Sequence, residues 1–269
     1  MNGGPSAELA PWIERLARVG YAAKAVLYIT VGYLAAEAGL GTGGRVTDTH
    51  GALRVVHQAS HGPALLLLIA AGLTGYAVWR LVEAVVDPER RGTNAKGIAL
   101  RLGFAIRGAF HGLLGITAFR LVLGDGSGAS GDEPHRWTER AFDLPGGDLL
   151  VGLAAGWVAG YGVYQFYRAA TPKMQRHLQL SELPDRVRGW VLGVSRFGIA
   201  ARGLVFCLIG FFFARAALRH DAGQAGGIRE SLRTLSELGR WPFVLVAFGL
   251  LAYGIYELVN ARYRRIRAV

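Results

Sequence analysis

Three basic residues, Lys24, Arg107 and Arg202, are each followed by twelve apolar or small residues and then by a charge, Glu37, Arg120 or Arg215. A helix rises about 1.5 Å per residue, so the two charges of each set lie about 20 Å apart, less than the roughly 30 Å of bilayer hydrocarbon. At least one charge per helix therefore starts inside the slab. Three arrangements satisfy that charge. Its long stem snorkels outward to the headgroups, which is the expected arrangement. Alternatively, the three cations point inward and, with Tyr76, Tyr161 and Tyr253 at similar depth, form a site for an anion or a lipid phosphate. Finally, a cation can pair with Glu83 or Glu257.

Other reactive residue types offer less. His57 and His61 stand at i, i+4 with His50 on a similar side, so one face presents three imidazoles of the kind that ligate metals. No Glu joins them, as it would in a zinc-hydrolase helix, and the set reads as a solvated interfacial face, with no metal site expected. His111 falls within an apolar run at an aromatic packing position. Cys207 is the only cysteine and lies in another apolar run, which excludes an intrachain disulfide and a Cys-based metal site. No Ser/His/Asp set or carboxylate pair can be placed, so neither an enzyme nor a cofactor is expected.

The elements that must carry these residues read as membrane spans. Of 269 residues, 52% are hydrophobic and only 18% charged, with 39 glycines and a mean hydropathy of +0.29. That mix fits lipid better than a water-soluble core. The net charge of +11 does not imply nucleic acid, because the basic residues sit beside long apolar runs and form no solvated patch among aromatics. Runs long enough for a bilayer begin near Tyr21, Gly62, Leu102, Gly147, Phe197 and Trp241, predicting an all-α protein of six transmembrane helices. All nine prolines lie outside these runs or, like Pro63 and Pro242, at a helix start. Glu8 and Glu14 precede the first run without a small-residue cleavage site, so the first span is expected to be retained.

Alternate sides of such a protein differ in charge. The side of the termini holds 20 basic and 8 acidic residues, the other side 10 basic and 11 acidic. Both termini are therefore expected to be cytoplasmic, with Arg90, Arg91, Arg186, Arg188, Arg262, Arg264, Arg265 and Arg267 facing anionic headgroups. Between paired spans, residues 47–60, 134–143 and 227–238 are polar and compatible with helices on the external surface. Small-residue spacing at Gly152, Gly156 and Gly160, and at Gly108 and Gly112, predicts close helix approach.

The chain also repeats itself. Arg18-Val19-Gly20-Tyr21-Ala22-Ala23-Lys24 aligns without a gap with Arg101-Leu102-Gly103-Phe104-Ala105-Ile106-Arg107 and with Arg196-Phe197-Gly198-Ile199-Ala200-Ala201-Arg202. Further down these helices Tyr28, His111 and Phe206 coincide, then Gly32, Gly115 and Gly210. The other spans align Gly75-Tyr76, Gly160-Tyr161 and Ala252-Tyr253, each followed by Trp79, Tyr164 or Tyr256. Polar residues close those helices: Arg80 and Glu83, Gln165 and Arg168, Glu257 and Asn260. Three repeats follow, at residues 12–86, 95–170 and 190–265, each of two spans.

On these motifs, from about residue 12 to 265, the sequence resembles the bacterial family catalogued as domain of unknown function 1206. The resemblance implies a multi-pass protein of the bacterial cytoplasmic membrane built from three helix pairs, and brings no catalytic residue with it. Lys24-Ala25 departs from Arg107-Gly108 and Arg202-Gly203, which weakens strict threefold equivalence. Two spans per repeat give every repeat the same orientation, closing as a pseudo-threefold bundle. The expected function is a non-enzymatic scaffold or accessory component in contact with membrane lipids and a membrane protein partner. The alternative is a transporter or channel for a small anion or lipid.

Overall fold

A computed structural model of the chain describes residues 6–87, 92–125, 133–172, 178–180 and 183–264. The helices are α1 (Ser6–Leu40), α2 (Thr49–His57), α3 (Gly62–Val85), α4 (Ala95–Val122), α5 (Glu133–Phe142), α6 (Gly147–Ala170), α7 (Asp185–Arg219), α8 (Ile228–Leu238) and α9 (Arg240–Tyr263), with a 3-10 turn at Ala222–Gln224 between α7 and α8. Six of them, α1, α3, α4, α6, α7 and α9, contain stretches long and apolar enough to cross a membrane. Arg90, Arg91, Arg265 and Arg267 lie outside the described residues.

Local chemistry accounts for the boundaries. Pro63 stands in the first turn of α3, where its lost N–H has no intrahelical partner to forgo. The Asn94 side chain accepts from Gly97 N at 2.8 Å and caps α4. Asp48 accepts from Gly51 N at 2.8 Å and starts α2 in the same way. The short helices α2, α5 and α8 occupy the polar segments between paired spans. On α8, Leu232 and Leu235 are buried while Leu238 is exposed.

The sequence places the starts of α3, α6 and α9 within a residue of where they fall, but α1, α4 and α7 begin well before Tyr21, Leu102 and Phe197. The apolar run marks where lipid begins. The backbone hydrogen bonds of a helix continue through polar residues as readily as through apolar ones.

Packing divides the chain into two units. The first takes α1 up to Val26, the chain from Leu53 through α3 and α4, and α9 from Glu257. The second takes α1 from Leu27 with the chain to Ala52, α5 to α8, and α9 up to Tyr256.

In the first unit, Gly20 lets α1 approach α3, since an added Cβ would lie 2.5 Å from Tyr76 Cβ, and Gly115 brings α4 against Ala70 and Thr74 of α3. Leu102, Ile106, Phe110 and Leu113 follow one face of α4 at helical spacing and are exposed. A large exposed apolar face on a long helix suits lipid rather than water.

In the second unit, Gly32 brings α1 against Ala247 and Leu251 of α9, and Gly210 brings α7 against Ala159 of α6. Gly162 lies against Gly203 and Cys207, and Gly198 against the Tyr253 backbone. The small-residue stripe predicted at Gly152, Gly156 and Gly160 of α6 is not a site of close helix approach. A Cβ at Gly156 or Gly160 would meet nothing within 4 Å, and one at Gly152 only Ala217 Cβ at 4.0 Å. Close approach of α6 runs instead through Ala159 and Gly162. Spacing every fourth residue gives α6 two small-residue faces, and the one bearing Ala159 and Gly162 is in close contact with α7. Gly108 and Gly112, by contrast, do face α3 at Ala77.

Candidate functional site

The alignment of the repeats puts Arg80, Gln165 and Glu257 in one column and Lys24, Arg107 and Arg202 in another. What each cation meets depends on which of the first three stands opposite.

In the first unit Lys24 is buried, at 5% exposure, and its Nζ donates to Glu257 Oε1 at 2.7 Å. Glu257 is 1% exposed. The ammonium also stands 4.8 Å from the Tyr76 ring centre and 5.5 Å from that of Tyr21. Arg80, equally buried, spends its whole fork: Nε donates to Tyr76 Oη at 2.8 Å, Nη1 to Glu83 Oε2 at 2.5 Å and Nη2 to Tyr21 Oη at 3.1 Å. Two buried cations thus meet two buried carboxylates. A charge removed from water is tolerable only when it is paired and its remaining hydrogen-bonding sites are filled.

Arg107 is half-buried and turns back on its own helix, with Nε on Gly103 O at 2.8 Å. It shares the Phe104 ring with Arg80, the two guanidinium carbons lying 5.0 and 5.3 Å from the ring centre. Its counterpart of Glu257 is Arg80, a like charge, which accounts for the retreat. His111 packs edge-on against Tyr76 at 4.9 Å, in keeping with an aromatic packing position.

The second unit holds Arg202, 5% exposed. Its Nε donates to Tyr28 Oη at 3.0 Å and Nη1 to Tyr161 Oη at 3.3 Å. The rings of Phe206, Tyr253, Tyr28 and Tyr161 surround the guanidinium at 4.4 to 5.7 Å. Among the described residues no carboxylate lies within ion-pair distance of it. At the position equivalent to Glu257 stands Gln165, fully buried. Arg168 Nη1 donates to Gln165 Oε1 at 2.9 Å and Nη2 to Tyr256 Oη at 2.9 Å.

The candidate residues are thus brought together in two groups, Lys24 with Tyr76, and Arg202 with Tyr161 and Tyr253. Lys24 and Arg202 do not snorkel: the first pairs with Glu257, and aromatic rings enclose the second. Sequence reasoning passed over Arg80, Gln165 and Tyr28 as partners. The signal was present in the polar column that closes the even-numbered spans, but not which cation each member would face. For His50, His57 and His61, no group of three or more His, Cys, Asp or Glu side chains arranged to hold a metal occurs among the described residues.

A second repeated contact joins the ends of the helices. Arg18 donates to the carbonyls of Ala261 and Arg262 at 2.7 and 2.6 Å, and Arg101 to those of Ala84 and Val85 at 2.7 and 2.9 Å. These carbonyls are the equivalent pair in two repeats, at the C-terminal ends of α9 and α3, where a cation is favoured by the helix dipole. Arg196, the third member, makes no such bond, and its Nε is buried without a partner.

The family model described as Domain of Unknown Function (DUF1206) matches residues 19–87, 102–172 and 197–264. The uncharacterized protein YxxB of Bacillus subtilis (strain 168) is 28% identical over 261 residues, covering 96% of this chain and 94% of the relative. No solved structure matches. Three matches laid end to end along the chain, on the same helix pairs that carry the repeated cation, glycine and tyrosine, place this protein in the DUF1206 family.

Proposed function

We propose that the chain is a non-enzymatic scaffold or accessory component of the bacterial cytoplasmic membrane, working through a membrane protein partner and anionic lipid headgroups. The observation that carries this reading is the closure of the first unit's charges on one another, Lys24 on Glu257 and Arg80 on Glu83, Tyr21 and Tyr76. Groups spent in this way hold helices together and are not free to exchange protons with a substrate. Both termini face the cytoplasm, as the basic bias of their side requires. The three repeats enter in one orientation around a pseudo-threefold axis along the membrane normal. Support for the rotation comes from Gly32, Gly115 and Gly210, which meet repeat-equivalent positions on α9, α3 and α6.

Membranes from a deletion strain, compared with wild type on native gels after mild solubilisation, test the scaffold. A specific membrane complex is expected to vanish or change size and to return on complementation. An unchanged set of complexes, with the protein migrating alone, contradicts it.

A transporter or channel for a small anion or lipid is the second reading, favoured by the cage around Arg202, which lacks a carboxylate. It requires flux into proteoliposomes that falls when Arg107→Gln and Arg202→Gln are combined. Absence of flux across a panel of anions and labelled lipids removes it.

A further inference from the structure

The two units answer the same problem differently. Lys24 has Glu257 opposite it, whereas Arg202 has the neutral Gln165 at the equivalent position. The Gln165 side chain is nonetheless fixed. Because Arg168 can only donate, the oxygen of Gln165 is the atom it engages, and the amide nitrogen points elsewhere. That Nε2 is buried and has no partner. Nη2 of Arg202 likewise makes no hydrogen bond among the described residues, since its Nε and Nη1 take up both tyrosine hydroxyls.

The surroundings add to the imbalance. Gln165 packs against Gly203, the residue after Arg202, where an added Cβ would lie 3.1 Å from Gln165 Cβ. Arg168 reaches Tyr256, whose ring is 5.7 Å from that of Tyr253, itself 4.7 Å from the Arg202 guanidinium. Further toward the start of α7, Ser195 Oγ and Arg196 Nε are buried without partners. Among the described residues at this end of α6 and α7 the excess is therefore of donors and positive charge, and a low-dielectric environment makes both costly.

We propose that an oxyanion of the phosphate type binds here, accepting from Arg202 Nη2 and Gln165 Nε2 and supplying the negative charge that Glu257 supplies to Lys24. An oxyanion's acceptor oxygens suit a charged guanidinium N–H, and Tyr161 on this cage is half-buried rather than enclosed. The same chemistry is presented by an anionic phospholipid headgroup and by free phosphate. The inference goes beyond the scaffold reading, since binding requires neither transport nor a protein partner.

Gln165→Glu provides the test, because it installs in the second unit the carboxylate that the first unit already has. The full-length protein is melted in nanodiscs of phosphatidylcholine with and without inorganic phosphate, and in nanodiscs containing phosphatidylglycerol. Wild type is expected to melt higher with at least one addition; a response to phosphate identifies the free anion and a response to phosphatidylglycerol the headgroup. Gln165→Glu is expected to lose that response while melting at least as high as wild type in phosphatidylcholine alone. Arg202→Lys, which keeps the charge without the fork, is expected to bind the responding probe about tenfold more weakly or worse. No response in wild type overturns the site, as does an undiminished response in Gln165→Glu. Should Gln165→Glu fail to accumulate, unchanged binding by Arg202→Lys overturns it instead.

Discussion

Glu257→Ala is expected to destabilise the protein by about 3–5 kcal/mol, because it leaves the buried Lys24 ammonium without its counter-charge. Lys24 and Glu257 sit in helices that reach the pair from opposite ends of the sequence, so the loss also unties α9 from α1. Thermal denaturation of purified protein in detergent measures the effect. A double substitution separates the cost of an orphaned charge from the worth of the pair. Lys24→Met with Glu257→Met removes both charges at similar volume and is expected to recover most of the lost stability, since buried pairs stabilise little relative to well-packed apolar residues. If Glu257→Ala alone leaves the melting temperature unchanged, the pair does not hold these helices.

The second large effect belongs to Gly198. A Cβ there would fall on the Tyr253 backbone, which cannot move aside as the tip of a flexible side chain can. Gly198→Leu is expected to cost about 3 kcal/mol or more and to reduce the folded fraction recovered from membranes. Gly156→Leu makes the same chemical change in α6, where nothing lies within 4 Å, and is expected to leave the melting temperature nearly unchanged. Equal losses from the two substitutions contradict the assignment of which glycines are contacts.

The two glycines also show where sequence reading reaches its end. The recurrence of Gly198 with a cation four residues on and a tyrosine on the partner helix marks it as a repeat position with a structural duty. Gly156 satisfies the small-residue spacing just as well, but spacing specifies a face of a helix and not what stands opposite it. Helix existence and repeat number were legible because lipid imposes long apolar runs and because three copies of one motif carry the same glycines.

The charges were legible only in part. Hydropathy treats each helix alone, so it favours an outward-reaching stem for Lys24 and ranks last the pairing with Glu257, 233 positions away, that the structure shows. Once Arg80, Gln165 and Glu257 are seen as one column, the different fates of the three cations follow from simple electrostatics. A carboxylate draws Lys24 in, a like charge turns Arg107 back, and a neutral amide leaves Arg202 to its tyrosines.

Orientation across the membrane is open to direct measurement by thiol labelling. In a Cys207→Ala background, single cysteines are placed at the exposed Thr42, between α1 and α2, and at the exposed Thr93, between α3 and α4. Right-side-out spheroplasts are treated with a membrane-impermeant maleimide before and after permeabilisation. With both termini cytoplasmic, Thr42→Cys labels in intact spheroplasts and Thr93→Cys labels only once the membrane is opened. Labelling of Thr93→Cys in intact spheroplasts with protection of Thr42→Cys would reverse the orientation, and equal labelling of both would contradict the six-span arrangement itself.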